Sequence, residues 1–312
     1  MHKARVLFLV CAGLICLASA CAHLAAATPA PPTATSRSTA ARMPAADPTL
    51  VAPAAVGALG ERFTRPDQTV EYHFMIQVAE LSEADLESSY QASVVEPLKA
   101  VAEVGALGKC SLGIYVDSKG RGLGRHHLIV RVRDGHITVK ARAASPTALL
   151  DLEGCASRKY EIDYFGTLDY SISSEVTLRA GEFEIRPPAF TPARVWDSIE
   201  EGCPGVWRQL RSAVQSSGRM EIPGVAHMYS AEARLKHPTG ARVKEASVAV
   251  WFFPPTDKFL VELSFTGFVK DRADMDRMYT ELGARLGAAG LLRADQSSKT
   301  QQYFAAYFGV GK

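Results

Sequence analysis

The chain has 312 residues, with 35 Lys and Arg against 33 Asp and Glu, and 47% of it is hydrophobic. Lys3 and Arg5 are the only fixed charges in residues 1–20, so the rest of the chain is formally neutral. A neutral chain lacks the basic excess that general nucleic-acid binding needs, so nucleic acid is set aside as a partner and any basic site must be local.

Met1-His2-Lys3-Ala4-Arg5 is followed by an apolar run from Val6 to Ala18. A basic start, a short apolar run and small residues before a cut form a secretory signal pattern. The run is shorter than the roughly 20 apolar residues a membrane-spanning helix needs. It ends Leu17-Ala18-Ser19-Ala20-Cys21, which resembles the lipobox of bacterial lipoproteins. The resemblance implies cleavage before Cys21 and lipid on Cys21 as the membrane anchor. With Ala22 rather than Asp next, it also implies an outer-membrane location facing the periplasm. The alternative is an ordinary cleaved signal in which Cys21 is incidental. Residues 22–60 are rich in Ala, Pro, Thr and Ser and poor in charge and aromatics. Such a stretch cannot bury enough apolar surface to order itself and reads as a flexible tether. The expected organisation is a signal at 1–20, a lipidated tether at 21–60 and a folded domain at 61–312.

Beyond Cys21 the cysteines are Cys110, Cys155 and Cys203. Export permits disulfides, and three cysteines allow one bond and one free thiol, with all three pairings open. They show no CxxC spacing, and no His stands at zinc-ligand spacing beside them, which argues against a structural zinc site.

Gln68–Val78 reads as a strand. Ser82, with Asp85 in a capping-box-like arrangement, opens a helix toward Ala102 with a kink or break before Pro97. Ser111–Asp117 reads as a strand, and 118–124 as a loop without the GxGxxG of a dinucleotide site. Leu128–Arg133 and His136–Arg142 flank Asp134-Gly135, a strong hairpin signal. Period-two alternation puts Val130, Val132, Ile137, Val139 and Ala141 on one face and Arg131, Arg133, His136, Lys140 and Arg142 on the other. Strands follow at Lys159–Phe165, Ser174–Arg179 and Glu182–Arg186. Helices are expected at Ala193–Glu201 and Val206–Gln215, and a strand near Ala226. A second amphipathic hairpin joins Ala246–Phe253 to Lys258–Phe265. A helix over Asp271–Leu286 carries Met275, Met278, Tyr279, Leu282 and Leu286 as a core stripe. The fold class is therefore α+β: an antiparallel β-barrel or strongly curled sheet with helices outside.

Tyr115-Val-Asp117, Arg131-Val-Arg133, Lys140, Lys159-Tyr-Glu161-Ile-Asp163, Glu262 and Ser298-Lys299 occur in that order. Together they are similar to the CYTH family, the triphosphate tunnel metalloenzymes. The resemblance spans about residues 68 to 305. It implies an eight-stranded antiparallel tunnel in which basic side chains hold phosphates and carboxylates hold a divalent metal. The family's first strand carries ExExK. Here Glu71-Tyr72-His73-Phe74-Met75 keeps the first Glu, replaces the second with His and the Lys with Met.

Arg131, Arg133, Lys140 and Arg142 are the candidate anion-binding residues, since Arg contacts phosphate bidentately; on an open sheet they would form a solvated face. Glu161, Asp163 and Glu262 are the candidate ligands for Mg²⁺ or Mn²⁺; alternatively they pair with neighbouring cations. No nucleophile motif is present and no catalytic residue is assigned. The reading is a lipid-anchored envelope protein that binds an anionic, phosphorylated ligand or an envelope partner without catalysis. A metal-dependent triphosphate or polyphosphate phosphohydrolase is the alternative, and a structural role in envelope assembly the third.

Overall fold

The computed structural model describes residues 56–309, apart from 153–154, 156, 179–189 and 237–241. The signal, Cys21 and most of the tether lie outside the described residues, as does the strand expected at Glu182–Arg186.

The elements run α1 (Val56–Phe63), β1 (Thr69–Ile76), α2 (Leu86–Tyr90), α3 (Glu96–Leu98), β2 (Ala102–Val104), β3 (Ser111–Ser118), α4 (Gly122–Arg125), β4 (Leu128–Arg133) and β5 (His136–Ala143). They continue with β6 (Ser157–Tyr164), β7 (Leu168–Thr177), α5 (Pro192–Gly202), α6 (Pro204–Ser216), β8 (Met220–Glu221) and β9 (Ala226–Leu235). The chain ends with β10 (Val243–Phe252), β11 (Phe259–Phe268), α7 (Arg272–Ala288) and α8 (Lys299–Phe308). Among these, α1 begins inside the stretch expected as tether. α4 occupies part of the expected loop at 118–124, and α8 was not foreseen.

Nine strands close on themselves in the order β9-β10-β11-β1-β6-β7-β5-β4-β3, with β3 pairing back to β9. β2 and β8 extend the sheet beyond the ring. The expected barrel is present, with nine strands rather than eight. One neighbouring pair, β1–β6, is parallel, with Glu71 opposite Asp163; the other ring pairings are antiparallel. Closure removes the free edges that an open sheet of this size would expose.

The first hairpin has the register its Asp-Gly turn demands: Arg133 faces His136, Val132 faces Ile137 and Val130 faces Val139. Asp134 and Gly135 both take positive φ, 45° and 94°. That is the mirror-image turn whose twist matches the flanking strands. The helix at 86–98 contains a π-helical stretch, Gln91–Val95, immediately before Pro97. Proline lacks the N–H an α-helix would use and its ring crowds the preceding turn, so the bonding loosens there.

The larger apolar cluster lies outside the barrel, between its wall and the helices. Val130, Val132, Ile137, Val139 and Ala141 are buried in one cluster with Val195, Ile199, Val206 and Leu210 of α5 and α6. Met275, Met278, Leu282 and Leu286 of α7 join Phe74, Leu263 and Phe265 in the same cluster. A disulfide links Cys155 to Cys203 at the foot of α5, leaving Cys110 free and exposed.

Candidate anion-binding cavity

Period-two alternation that buries Val130 and Val132 outside the wall sends Arg131 and Arg133 inward. A cavity of about 470 Å³ runs inside the barrel, and Arg131, Arg133, Lys140 and Arg142 all line it. Glu71 and His73 of β1, Glu161 and Asp163 of β6, Ser173 and Glu175 of β7, and Lys299 at the start of α8 line it too. All four candidate anion-binding residues therefore share one enclosure. Of the three candidate metal ligands, Glu161 and Asp163 line the cavity directly. Glu262 of β11 is wholly buried behind Lys299 and His73.

Each of these three carboxylates is already held by cations. Glu161 accepts Lys140 Nζ at 2.6 Å and Lys159 Nζ at 2.8 Å. Burial alone would raise its pKa, but the two ammonium groups hold it down at about 2. Asp163 takes Arg142 at 3.1 Å and His73 Nε2 at 3.3 Å, and Arg142 also reaches Asp169 at 3.4 Å. Despite its burial, the Asp163 carboxyl is held far below the usual carboxylate range by Lys140, His73 and Arg142. Glu262 is bonded by Lys299 and approached by His73 Nδ1 at 3.3 Å. Burial works to raise its pKa, yet Lys299 and His73 keep it at about 2.

His73 sits at the centre of this arrangement, with Glu71 3.9 Å from its Nδ1. Burial opposes its protonation. The charge of Glu262 and the hydrogen bond to Asp163 outweigh that cost, so the ring pKa rises to about 9. Phe165 stacks on the ring at 4.2 Å between centroids and fixes its plane. The surrounding carboxylates of Glu262, Asp163 and Glu71 thus favour the protonated form of the ring.

Arg131 and Arg133 are placed differently. Arg131 reaches Thr138 Oγ1 at 3.5 Å, and its buried Nε has no partner. Among the described residues, no ion pair joins Arg131 to a carboxylate. Arg133 pairs with Asp134 at 3.2 Å, a half-exposed turn neighbour. Burial lowers the Arg133 pKa, and the charge of Arg131 beside it lowers it further. Arg131 and Arg133 are thus two like charges side by side in the cavity, with Asp134 and Glu175 the acidic groups that act on Arg133.

The two ends of the cavity differ. Lys159 is 70% and Arg133 42% exposed, so the cavity meets solvent at the β4–β5 turn. At the other end, inward-facing Tyr115, Met228, Trp251 and Leu260 pack against Tyr303 and Phe304 of α8. The Tyr303 hydroxyl donates to the Gly224 carbonyl, and Tyr307 donates to those of Val225 and Pro254. Ser298 caps α8 through a capping box with Gln301, which sets Lys299 at the cavity wall. The Ser298–Gln301 spacing is the signal by which α8 could have been found in the sequence. Asp117 has a local role: its oxygens accept from the backbone N–H groups of Ser118, Leu123 and Gly124 and from Arg121.

No family model matches the chain, and no curated protein matches it. Among solved structures it is similar to a protein from Hippeastrum assigned as an adenylyl cyclase and described as having a dominant triphosphatase activity. That match has a TM-score of 0.40 and 11% identity, covering 75% of this chain and 93% of the other. It is also similar to a Bacillus halodurans protein assigned as an adenylate cyclase, at TM-score 0.37 and 12% identity, covering 75% and 98%. A Vibrio parahaemolyticus protein with the same assignment gives TM-score 0.34 and 11% identity, covering 77% and 98%.

Proposed function

We propose that the barrel binds an anionic, phosphorylated ligand or envelope partner without catalysis, in a protein anchored to the outer membrane by lipid on Cys21. The observation that carries this reading is the Arg131–Arg133 pair. Both line the cavity, and Arg131 has a buried nitrogen without a partner. A phosphate group would supply several charge-assisted acceptors to such a pair. The Cys155–Cys203 disulfide agrees with an oxidising compartment. Among the described residues no helix is long and apolar enough to cross a membrane, so attachment rests on the lipid in this reading.

The metal-dependent reading needs Glu161, Asp163 and Glu262 to hold Mg²⁺ or Mn²⁺. Those carboxylates are matched by Lys140, Lys159, Arg142, Lys299 and protonated His73. A hard dication seeks carboxylate oxygens with free lone pairs. Here the side-chain cations Lys140, Lys159, Arg142 and Lys299 face those oxygens. Glu71, His73 and Glu262 do bring one ligand atom each within 4.8 Å of one another, and Glu262 Oε2 is buried without a hydrogen bond, so a metal there would have to displace the neighbouring cations; no hydrolytic step is derived through one.

The test is to titrate the full chain with tripolyphosphate, with and without Mg²⁺ or Mn²⁺, following thermal stability and phosphate release. Stabilisation without release is the expected result. Arg131→Ala should weaken binding by roughly 10–100-fold, the worth of a hydrogen bond to a charged group. Metal-dependent release that disappears in Glu262→Gln would establish the hydrolase instead. If no phosphate compound shifts the transition, the anion-binding reading fails. The anchor is tested separately by fatty-acid labelling, which Cys21→Ser should abolish.

A further inference from the structure

A second cluster of chemically capable side chains lies outside the cavity, on the seam where β3 and β9 close the barrel. Cys110 immediately precedes β3, His227 is the second residue of β9, and Glu83 lies in the connection between β1 and α2. Three residues far apart in sequence thus meet at one place. The Cys110 sulfur, a His227 ring nitrogen and a Glu83 carboxylate oxygen all lie within 4.8 Å of one another. His227 Nδ1 and Glu83 Oε1 are 2.7 Å apart, and both side chains are about one-third exposed. Cys110 is exposed, so dissolved ions can reach the group.

The arrangement has a second layer. The Tyr229 hydroxyl donates to the same Glu83 oxygen at 2.9 Å. An outer hydrogen bond of this kind orients a ligating carboxylate. The seam itself is short: β3 and β9 share three residue pairs, Ser111–Met228, Leu112–His227 and Gly113–Ala226. Lys109, Ser111 and Met228, on either side of the cluster, line the cavity.

We propose that Cys110, His227 and Glu83 form a binding site for a borderline-soft divalent transition ion of the Zn²⁺ class, which clamps the β3–β9 seam. A thiolate, an imidazole and a carboxylate are a three-donor set that suits Zn²⁺ and disfavours Mg²⁺ and Ca²⁺, with the fourth position left to water. Zn–N and Zn–O bonds of about 2.0–2.1 Å set neighbouring tetrahedral donors roughly 3.3 Å apart. His227 and Glu83 would therefore separate by about half an ångström as the ion replaces the proton they share. Metal bound here ties β3, β9 and the 81–85 connection together, and it stabilises the closed barrel by mass action.

The experiment uses the full chain in mild detergent, with Cys11, Cys16 and Cys21 changed to Ser and the disulfide kept oxidised. Cys110 is then the one thiol available. Co²⁺ should bind one per chain with a thiolate-to-metal charge-transfer band, and Zn²⁺ should displace it and raise the melting temperature. Cys110→Ser should abolish the band, and His227→Gln should weaken binding. Alkylation of Cys110 in the parent chain needs no further variant: Zn²⁺ should slow it, and Mg²⁺ should leave it unchanged. An unchanged alkylation rate at saturating Zn²⁺, or a Co²⁺ band that survives Cys110→Ser, overturns the proposal.

Discussion

His73 decides the chemistry of the cavity floor. It stands two residues after Glu71 on the inward face of β1, and its proton joins three carboxylates into one network. Its folded pKa of about 9 lies above the ordinary value of 6.5. The stability it contributes is therefore complete below pH 6.5 and is lost as pH rises through about 9. Glu161 and Glu262, held at about 2, act in the opposite sense: their contribution is present above about pH 4.5 and is lost as pH falls toward 2. Urea unfolding at a series of pH values should show a plateau between about pH 4.5 and 6.5. On the alkaline side stability should decline by at most about 3 kcal/mol as the ring proton is lost. His73→Gln should remove that alkaline limb and cost up to about 3 kcal/mol at pH 6, because it takes away one of the cations that face the buried Asp163 and Glu262. A wild-type alkaline decline that persists in His73→Gln would assign it to another group.

Among the elements, the hairpins were the most legible in the sequence. Val130, Val132, Ile137 and Val139 alternate with Arg131, Arg133 and Lys140, and a two-residue turn admits one register. Gly135 holds that register at φ 94°, where a Cβ is strained. Gly135→Ala should cost roughly 1 kcal/mol or more, read as a lower urea midpoint with an unchanged slope. An unaltered midpoint would show that the turn relaxes freely. That the four basic residues share a face was legible for the same reason; that this face turns inward was not, because alternation alone leaves an open, solvated sheet equally possible. Their pairing was not: Arg142 meets Asp163 and Asp169, and Lys299 meets Glu262, through the curvature of the closed sheet. The parallel β1–β6 contact, the β3–β9 seam and the meeting of Cys110 with His227 are likewise long-range, and no local pattern announces them. α8 had a local signature in Ser298 and Gln301, which a reading centred on strand alternation passed over.

At the scale of the whole molecule, the barrel reverses the usual arrangement of apolar inside and polar outside. Its wall is apolar outward because α5, α6 and α7 cover it, and that cover must stay attached for the wall to stay buried. The disulfide ties α5 to the segment before β6, bridging a sequence separation of 48 residues. In the chain-entropy account a loop of that length is worth about 4 kcal/mol. Reduction with dithiothreitol should lower the melting temperature by several degrees, and Cys155→Ala with Cys203→Ala should reproduce the reduced value. A transition unmoved by reductant would show that α5 is held by packing alone.

The sealing of one end by Tyr303 and Phe304 governs the shape of what can enter. A vessel with one opening admits its guest tip first and gives it no exit ahead. An extended polyanion could not thread through; it could present a terminal group to Arg131 and Arg133, with the remainder trailing outside past Lys159. If the chamber binds a phosphorylated ligand as proposed, it would recognise ends. Chain termini and compact monoesters would then be the ligands to test first, since an internal segment of a long polymer would have to fold back on itself to reach the same arginines.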